Sequence, residues 1–147
     1  MQAGGVTGMD SADRLVMQKQ IERIFDARMR GDVEGVLAEC TDDATFELMG
    51  DLYGQQMVTK LAGKDHLRSE FTGIFLRWRW DSVRIIRTLI DGNCAVIEFD
   101  GQRFHTISRR ALDGSSCHVL EFRDGKIAVI REYTDTFSLA RVAGPLF

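Results

Sequence analysis

The hydrophobic pattern of this chain predicts an α+β fold, with helices in the first half packed on one face of an antiparallel sheet formed by the second. Three observations carry that reading. Apolar residues recur at helical spacing as far as Trp78, and from Trp80 onward the period changes to two. The alternating runs are separated by Asp91-Gly92, Asp100-Gly101, Asp113-Gly114 and Asp124-Gly125. Asp-Gly marks a hairpin because a tight turn needs the positive φ that these residues tolerate.

In the first helix Met17, Ile21, Ile24, Phe25 and Met29 form one stripe after a cap at Asp10 or Ser11. Gly31 closes it. Asp32 caps a second helix in which Val33, Val36, Leu37 and Cys40 share a face. Thr41-Asp42-Asp43 leads to a strand over residues 44–49, and a glycine-flanked segment follows from Gly54 to Gly63. The third helix starts near Gly63 or Asp65 and lines up Leu67, Phe71, Ile74, Phe75 and Trp78. Gly73 inside it costs about 1 kcal/mol relative to alanine, so that turn must be crowded or closely approached. Strands are predicted over residues 82–90, 94–99, 104–112, 115–122 and 127–136. One domain spans residues 11–138, between a mobile tail at 1–10 and a second tail at 139–147.

At 147 residues the chain suits one domain burying roughly two-thirds of its unfolded surface. Its net charge of −3 is small and its basic residues are scattered, which argues against a nucleic-acid partner. Cys40, Cys94 and Cys117 lie far apart, as expected of reduced thiols in a cytoplasm. The first ten residues lack a signal-peptide pattern, and no apolar run approaches the length of a membrane span. No motif for a metal, flavin or nicotinamide is present, so no cofactor is expected.

Three segments carry a family resemblance. IFDARMRGDVEGVLAECTDDATF (residues 24–46) resembles the opening of the SnoaL-like and ketosteroid-isomerase-like branch of the nuclear transport factor 2-like superfamily. GKDHLRSEF (63–71) is similar to its third helix, and HVLEFRDGKIAVIREYTDT (118–136) to its last hairpin. The resemblance implies a cone: a strongly curved mixed sheet wrapped around three helices, enclosing one apolar pocket, often in a homodimer formed through the outer sheet face. Such a fold hosts isomerases, cyclases, dehydratases, epoxide hydrolases and non-catalytic adaptors, so function rests on the site.

Residue by residue, the positions of ketosteroid-isomerase chemistry differ. The general-base aspartate aligns with Leu48, the donor tyrosine with Ile24 and the protonated aspartic acid with His118. A hydrocarbon can neither abstract a proton nor donate to an enolate. The acid of limonene-epoxide-hydrolase-like members matches Glu132 within Arg131-Glu132-Tyr133, but their Arg-x-Asp pair has no match in residues 103–109.

Alternation puts His118 inward with Leu120 and Phe122. A two-residue turn at Asp113-Gly114 would pair Arg109 with His118 and place His105 inside, opposite Phe122. In the last strand parity is ambiguous, and the resemblance turns Glu132 inward. His118 and Glu132 are therefore the candidate acid/base pair. His105, Phe25, Leu48, Phe71 and Leu120 are the candidate substrate contacts. His66, Glu47 and Glu98 are expected to face solvent. The leading expectation is a cofactor-free isomerase, cyclase or dehydratase acting by proton transfer on a small, mostly apolar carbonyl or hydroxyl compound. A non-catalytic binding or dimerisation module is its rival, with an epoxide-hydrolase-like enzyme third.

Overall fold

The fold is known from a computed structural model that describes residues 11–52, 55–56 and 60–144. The predicted leading tail and Gly54 lie outside the described residues. Helix α1 (Ser11–Met29) buries Met17, Ile21, Ile24 and Phe25 as their spacing requires, and with them Gln20 and Arg28. Gln20 donates to the Gly125 carbonyl at 2.7 Å, fixing the helix to the far end of the sheet. Gly31 breaks the helix with φ +69, and the Asp32 carboxylate caps α2 (Val33–Leu37) by accepting from the Gly35 amide at 2.9 Å.

Helix α2 is shorter than the spacing predicted. Cys40 leaves the helix and opens β1 (Cys40–Met49), because it pairs with Ile127 while the Ile127 amide binds the Glu39 carbonyl. Strand pairing overrides local periodicity here. Strands β2 (Asp51–Leu52) and β3 (Gln55–Gln56) form a separate small ladder, and β4 (Leu61–Ala62) pairs with β1. Helix α3 (Lys64–Arg77) follows Gly63 as expected. A methyl group at Gly73 would lie 3.0 Å from the Arg77 guanidinium, so the glycine lets that side chain fold back along its own helix.

The second half supplies β5 (Trp78–Asp91), β6 (Cys94–His105), β7 (Arg110–Leu112), β8 (Ser115–Arg123) and β9 (Lys126–Tyr133). The sheet order is β4-β1-β9-β8-β6-β5, with β7 also on β6. Strands β1 and β9 run parallel and the other pairs antiparallel, so the sheet is mixed. Phe99, Ile97, Leu120 and Ala95 on its inner face are at most 1% exposed. Burial of each large side chain contributes about 1.5–3 kcal/mol.

Only two of the four Asp-Gly steps turn the chain between neighbouring strands. Asp91-Gly92 joins β5 to β6, and Asp124-Gly125 joins β8 to β9. The other two lie within extended chain. Cys94 faces Glu121, Asp100 faces Ser115 and Arg103 faces Leu112, so β7 and β8 run end to end along β6 in one register. The reversal occurs at residues 106–109. Gly101 (φ +131) and Gly114 (φ +125) therefore stand opposite each other mid-ladder, where both strands bend. Glycine pairs of this kind curve a sheet, and they give this one its concave face. The expected pairing of His118 with Arg109 and of His105 with Phe122 is thereby corrected: His118 faces Ile97, and His105 faces Trp78 and Arg110.

The chain then forms a fourth helix, α4 (Thr136–Ala143), across part of what was predicted to be a tail. Asp135 caps it, accepting from the Ser138 amide at 3.0 Å, and Leu139, Ala140 and Ala143 are buried. Eight residues give too little periodicity to read against the preceding strand.

Candidate functional site

The concave face, α1, α3 and α4 enclose a cavity of about 310 Å³. That is at the lower end of the size of small-molecule sites. Phe25, Leu48, Phe71 and Leu120 line it, together with Phe75 and Trp80. One rung of the ladder crosses its floor: Leu48 is opposite Glu132 on β9, Glu132 opposite His118 on β8, and His118 opposite Ile97 on β6. Directly opposed residues project to the same face, so pairing brings His118 and Glu132 together.

His118 Nε2 lies 3.5 Å from Glu132 Oε2, longer than an ordinary hydrogen bond. The two side chains keep 12% and 19% of their surface, within a cavity they both line. Nε2 itself is closed to solvent and makes no hydrogen bond among the described residues, where the carboxylate is its near polar neighbour. The imidazole packs edge-on to Phe99 at 4.8 Å and against Phe25 at 5.6 Å.

Burial by itself would raise the Glu132 pKa, but the His118 imidazole and the Arg103 and Arg28 guanidiniums outweigh it and hold it below the ordinary value. The site thus keeps an ionised carboxylate inside apolar walls. Its stabilisation is fully present above the usual glutamate value of 4.5 and is lost as the pH falls through the lower folded value. A Glu132→Gln protein is accordingly expected to show a flatter acid limb in stability against pH. Equal acid limbs in urea titrations of the two proteins would show that the carboxylate carries no such linkage.

Arg103 and Arg28 are the polar wall residues that the sequence reading missed. Arg103 is 4% exposed, with Nη1 donating to Ser116 Oγ at 2.5 Å and Thr134 Oγ1 at 3.4 Å, and Nη2 to the Gly114 carbonyl at 3.1 Å. Arg28 is 9% exposed, donates to the Trp78 carbonyl at 2.5 Å, and lies over the Phe75 and Trp80 rings. Both carried a signal. Arg28 sits four residues after Ile24 and seven after Ile21, on the buried stripe of α1. Arg103 shares parity with Ile97 and Phe99, and a strand ended at Asp100-Gly101 hides that.

His105 is corrected. It is fully buried but does not line the cavity. Its Nδ1 accepts from the Ser108 amide at 3.1 Å and lies 2.9 Å from Ser108 Oγ, so it serves the turn after β6. The bend at Gly101 carries the end of the strand to Trp78, whose ring is 4.7 Å from the imidazole. His66 is half exposed beside Glu70. Glu47 and Glu98 point away from the cavity and meet Lys60 at 3.6 Å and Arg87 at 3.3 Å. Burial pushes the Cys40 thiol up to about 11, which leaves it unreactive at neutral pH. Among the described residues no group of three His, Cys, Asp or Glu side chains is placed to hold a metal ion. No helix among them is long and apolar enough to cross a membrane.

Comparison with known proteins places this geometry in context. Residues 21–130 match the family model for the SnoaL-like domain. No curated protein matches the sequence. Among solved structures, a Bacillus subtilis protein provisionally named an isomerase superposes with TM-score 0.79 at 17% identity, over 92% of this chain and 96% of that one. A Jannaschia sp. CCS1 protein provisionally named a SnoaL-like polyketide cyclase gives 0.72 at 12%, over 99% of both chains. A limonene-epoxide-hydrolase-like epoxide hydrolase of M. tuberculosis gives 0.69 at 20%, over 87% and 89%. Likeness at such identities is one of fold.

Proposed function

The chain belongs to the SnoaL-like domain family, and on that premise we propose that it is a small-molecule enzyme of the isomerase, cyclase or dehydratase type. The observation that carries this reading is the ionised Glu132 set against His118 Nε2 inside an apolar cavity. An inert binding site has no use for a buried carboxylate, which costs free energy to desolvate. Glu132 and His118 act as one acid/base unit. The carbon beside a substrate carbonyl loses its proton to the pair, the electrons of the broken C–H bond move to the carbonyl oxygen, and the pair returns the proton elsewhere on the molecule. The positive field of Arg103 offsets the charge that develops on that oxygen. The apolar walls exclude water and select a small, mostly apolar carbonyl or hydroxyl compound.

Arg103 beside Glu132 favours epoxide hydrolysis as a second reading. It lacks a second acid, since the residue two places on is His105, which is committed to Ser108.

The test is proton exchange. Incubated in deuterium oxide with a panel of small aryl ketones and β-hydroxy ketones, the protein is expected to place deuterium beside the carbonyl of at least one, read by proton NMR. Compounds that bind without exchange throughout the panel would put the binding module first.

The family resemblance also supports a homodimer through the outer sheet face, where Leu89 is 57% and Tyr133 45% exposed. Light scattering is expected to give twice the mass of one 16.6 kDa chain, and a monomer at micromolar concentration would contradict it.

A further inference from the structure

We propose that the substrate is a small apolar monoanion whose carboxylate is held by Arg28, with its apolar body along the aromatic wall and its reacting carbon at Glu132 and His118. This names a substrate class for the site proposed above and rests on that reading for the reacting end alone.

The argument begins with the partners of the arginines. Arg23, Arg68, Arg79 and Arg84 lie at the surface and each meets a carboxylate: Glu39 at 2.8 Å, Glu34 at 2.6 Å, Asp81 at 2.5 Å and Asp100 at 2.9 Å. Arg28 is buried, where an unpaired charge is most costly, yet no carboxylate among the described residues is within ion-pair distance of it. Its one hydrogen bond among the described residues runs from Nη2 to the neutral Trp78 carbonyl.

The guanidinium carbon stands 4.1 Å from the centre of the Phe75 ring and 4.7 Å from that of Trp80. Contacts of this kind cover the faces of the ion and leave its N–H groups at the edge. An edge with free donors is the part of arginine that grips a carboxylate in two parallel hydrogen bonds. Arg28 lines the cavity, so that edge is offered to whatever enters.

The other charges of the cavity do not fill this vacancy. Arg103 has its two terminal nitrogens engaged by Ser116, Thr134 and Gly114 and shares the field of Glu132 with His118. Glu70 and Arg77 bring one charge of each sign to the wall: Glu70 is half exposed and 3.9 Å from His66, and Arg77 folds back along α3 towards Gly73. Glu132 faces both guanidiniums from beyond ion-pair distance, and one carboxylate between Arg28 and Arg103 leaves one positive charge over. Burial lowers the Arg28 pKa to about 10, still charged at neutral pH, and Glu132 opposes that fall. An arriving carboxylate replaces the missing counter-ion.

Isothermal titration calorimetry with 3-phenylpropanoate, 3-phenylpropan-1-ol and 3-phenylpropylamine tests the proposal, because the three share a body and differ in charge. The acid is expected to bind roughly tenfold tighter than the alcohol or better, with the amine weakest. Arg28→Gln should bring the acid down to the alcohol while leaving the alcohol within a few-fold of its original affinity. Arg28→Lys, which keeps the charge but loses the planar fork, should retain part of the preference and guards against a glutamine variant that fails to fold. Equal affinity for acid and alcohol in the unaltered protein overturns the proposal. So does a preference that survives in Arg28→Gln or one that is lost instead in Arg77→Gln. Binding is read without turnover, so absence of proton exchange would remove the acid/base reading and leave this result standing.

Discussion

His118→Gln is expected to slow deuterium exchange on a responsive ketone by about 10²–10⁴, the usual worth of one positioned acid/base group. Glutamine has nearly the reach of histidine and an N–H with which to face Glu132, so the pair keeps a donor beside its carboxylate. What it loses is a ring nitrogen able to take up a proton and release it. Folding stability should therefore move far less than the rate, because no cavity opens and Glu132 keeps Arg103 and Arg28 near it. His66→Gln serves as control. That imidazole is half exposed on α3, 3.9 Å from Glu70, and its loss should leave both rate and stability unchanged. An exchange rate in His118→Gln equal to that of the unaltered protein ends the acid/base proposal. A parallel fall in stability would make the effect one of folding.

Gly101→Ala is expected to remove more than about 4 kcal/mol of stability, a loss that single substitutions reach only through severe distortion. The reason is contact with backbone, which cannot swing aside. A Cβ at position 101 would stand 1.8 Å from the Ser82 carbonyl oxygen and 2.9 Å from the Val83 Cα. The backbone there has φ +131, a region that side chains with a Cβ rarely enter. Relief requires β5 and β6 to part at the bend, next to Trp80 and Arg103 in the cavity wall. Gly92→Ala supplies the comparison. It too has positive φ, but nothing lies within 4 Å of the added methyl, so the cost should be about 1–2 kcal/mol. Urea unfolding midpoints measure both. A Gly101→Ala protein no less stable than Gly92→Ala would show that the strands yield easily and that the bend is soft.

That same glycine marks where the sequence was hardest to read. Asp100-Gly101 and Asp91-Gly92 look identical in one dimension, and both need positive φ. Whether such a step reverses a strand or bends it depends on what lies across the ladder, and Gly114 lies across from Gly101. Reading a turn at Asp100-Gly101 divided a long strand and hid Arg103, and reading one at Asp113-Gly114 gave His105 a place in the cavity. Errors of this kind follow from register, because alternation carries over only as far as a strand is judged to run. The helices were more legible. The stripe of α1 and the start of α3 follow directly from spacing, and the second helix was overdrawn only where β9 captures Cys40. His118 was placed by parity alone and is where parity puts it. Glu132 needed the family resemblance, since β9 has apolar residues on both faces. Arg28 was visible as a charge on a buried stripe, but a stripe is read for its apolar members, and its lone cation was passed over.

The wall of the cavity has one more consequence. The chain has two tryptophans, and both Trp78 and Trp80 line the cavity, one tilted against His105 and the other beneath Arg28. Its tryptophan emission therefore originates wholly at the site, with no distant indole to dilute it. The protein is its own optical gauge of occupancy: a guest that displaces the guanidinium or excludes water from the indoles alters the whole of that light.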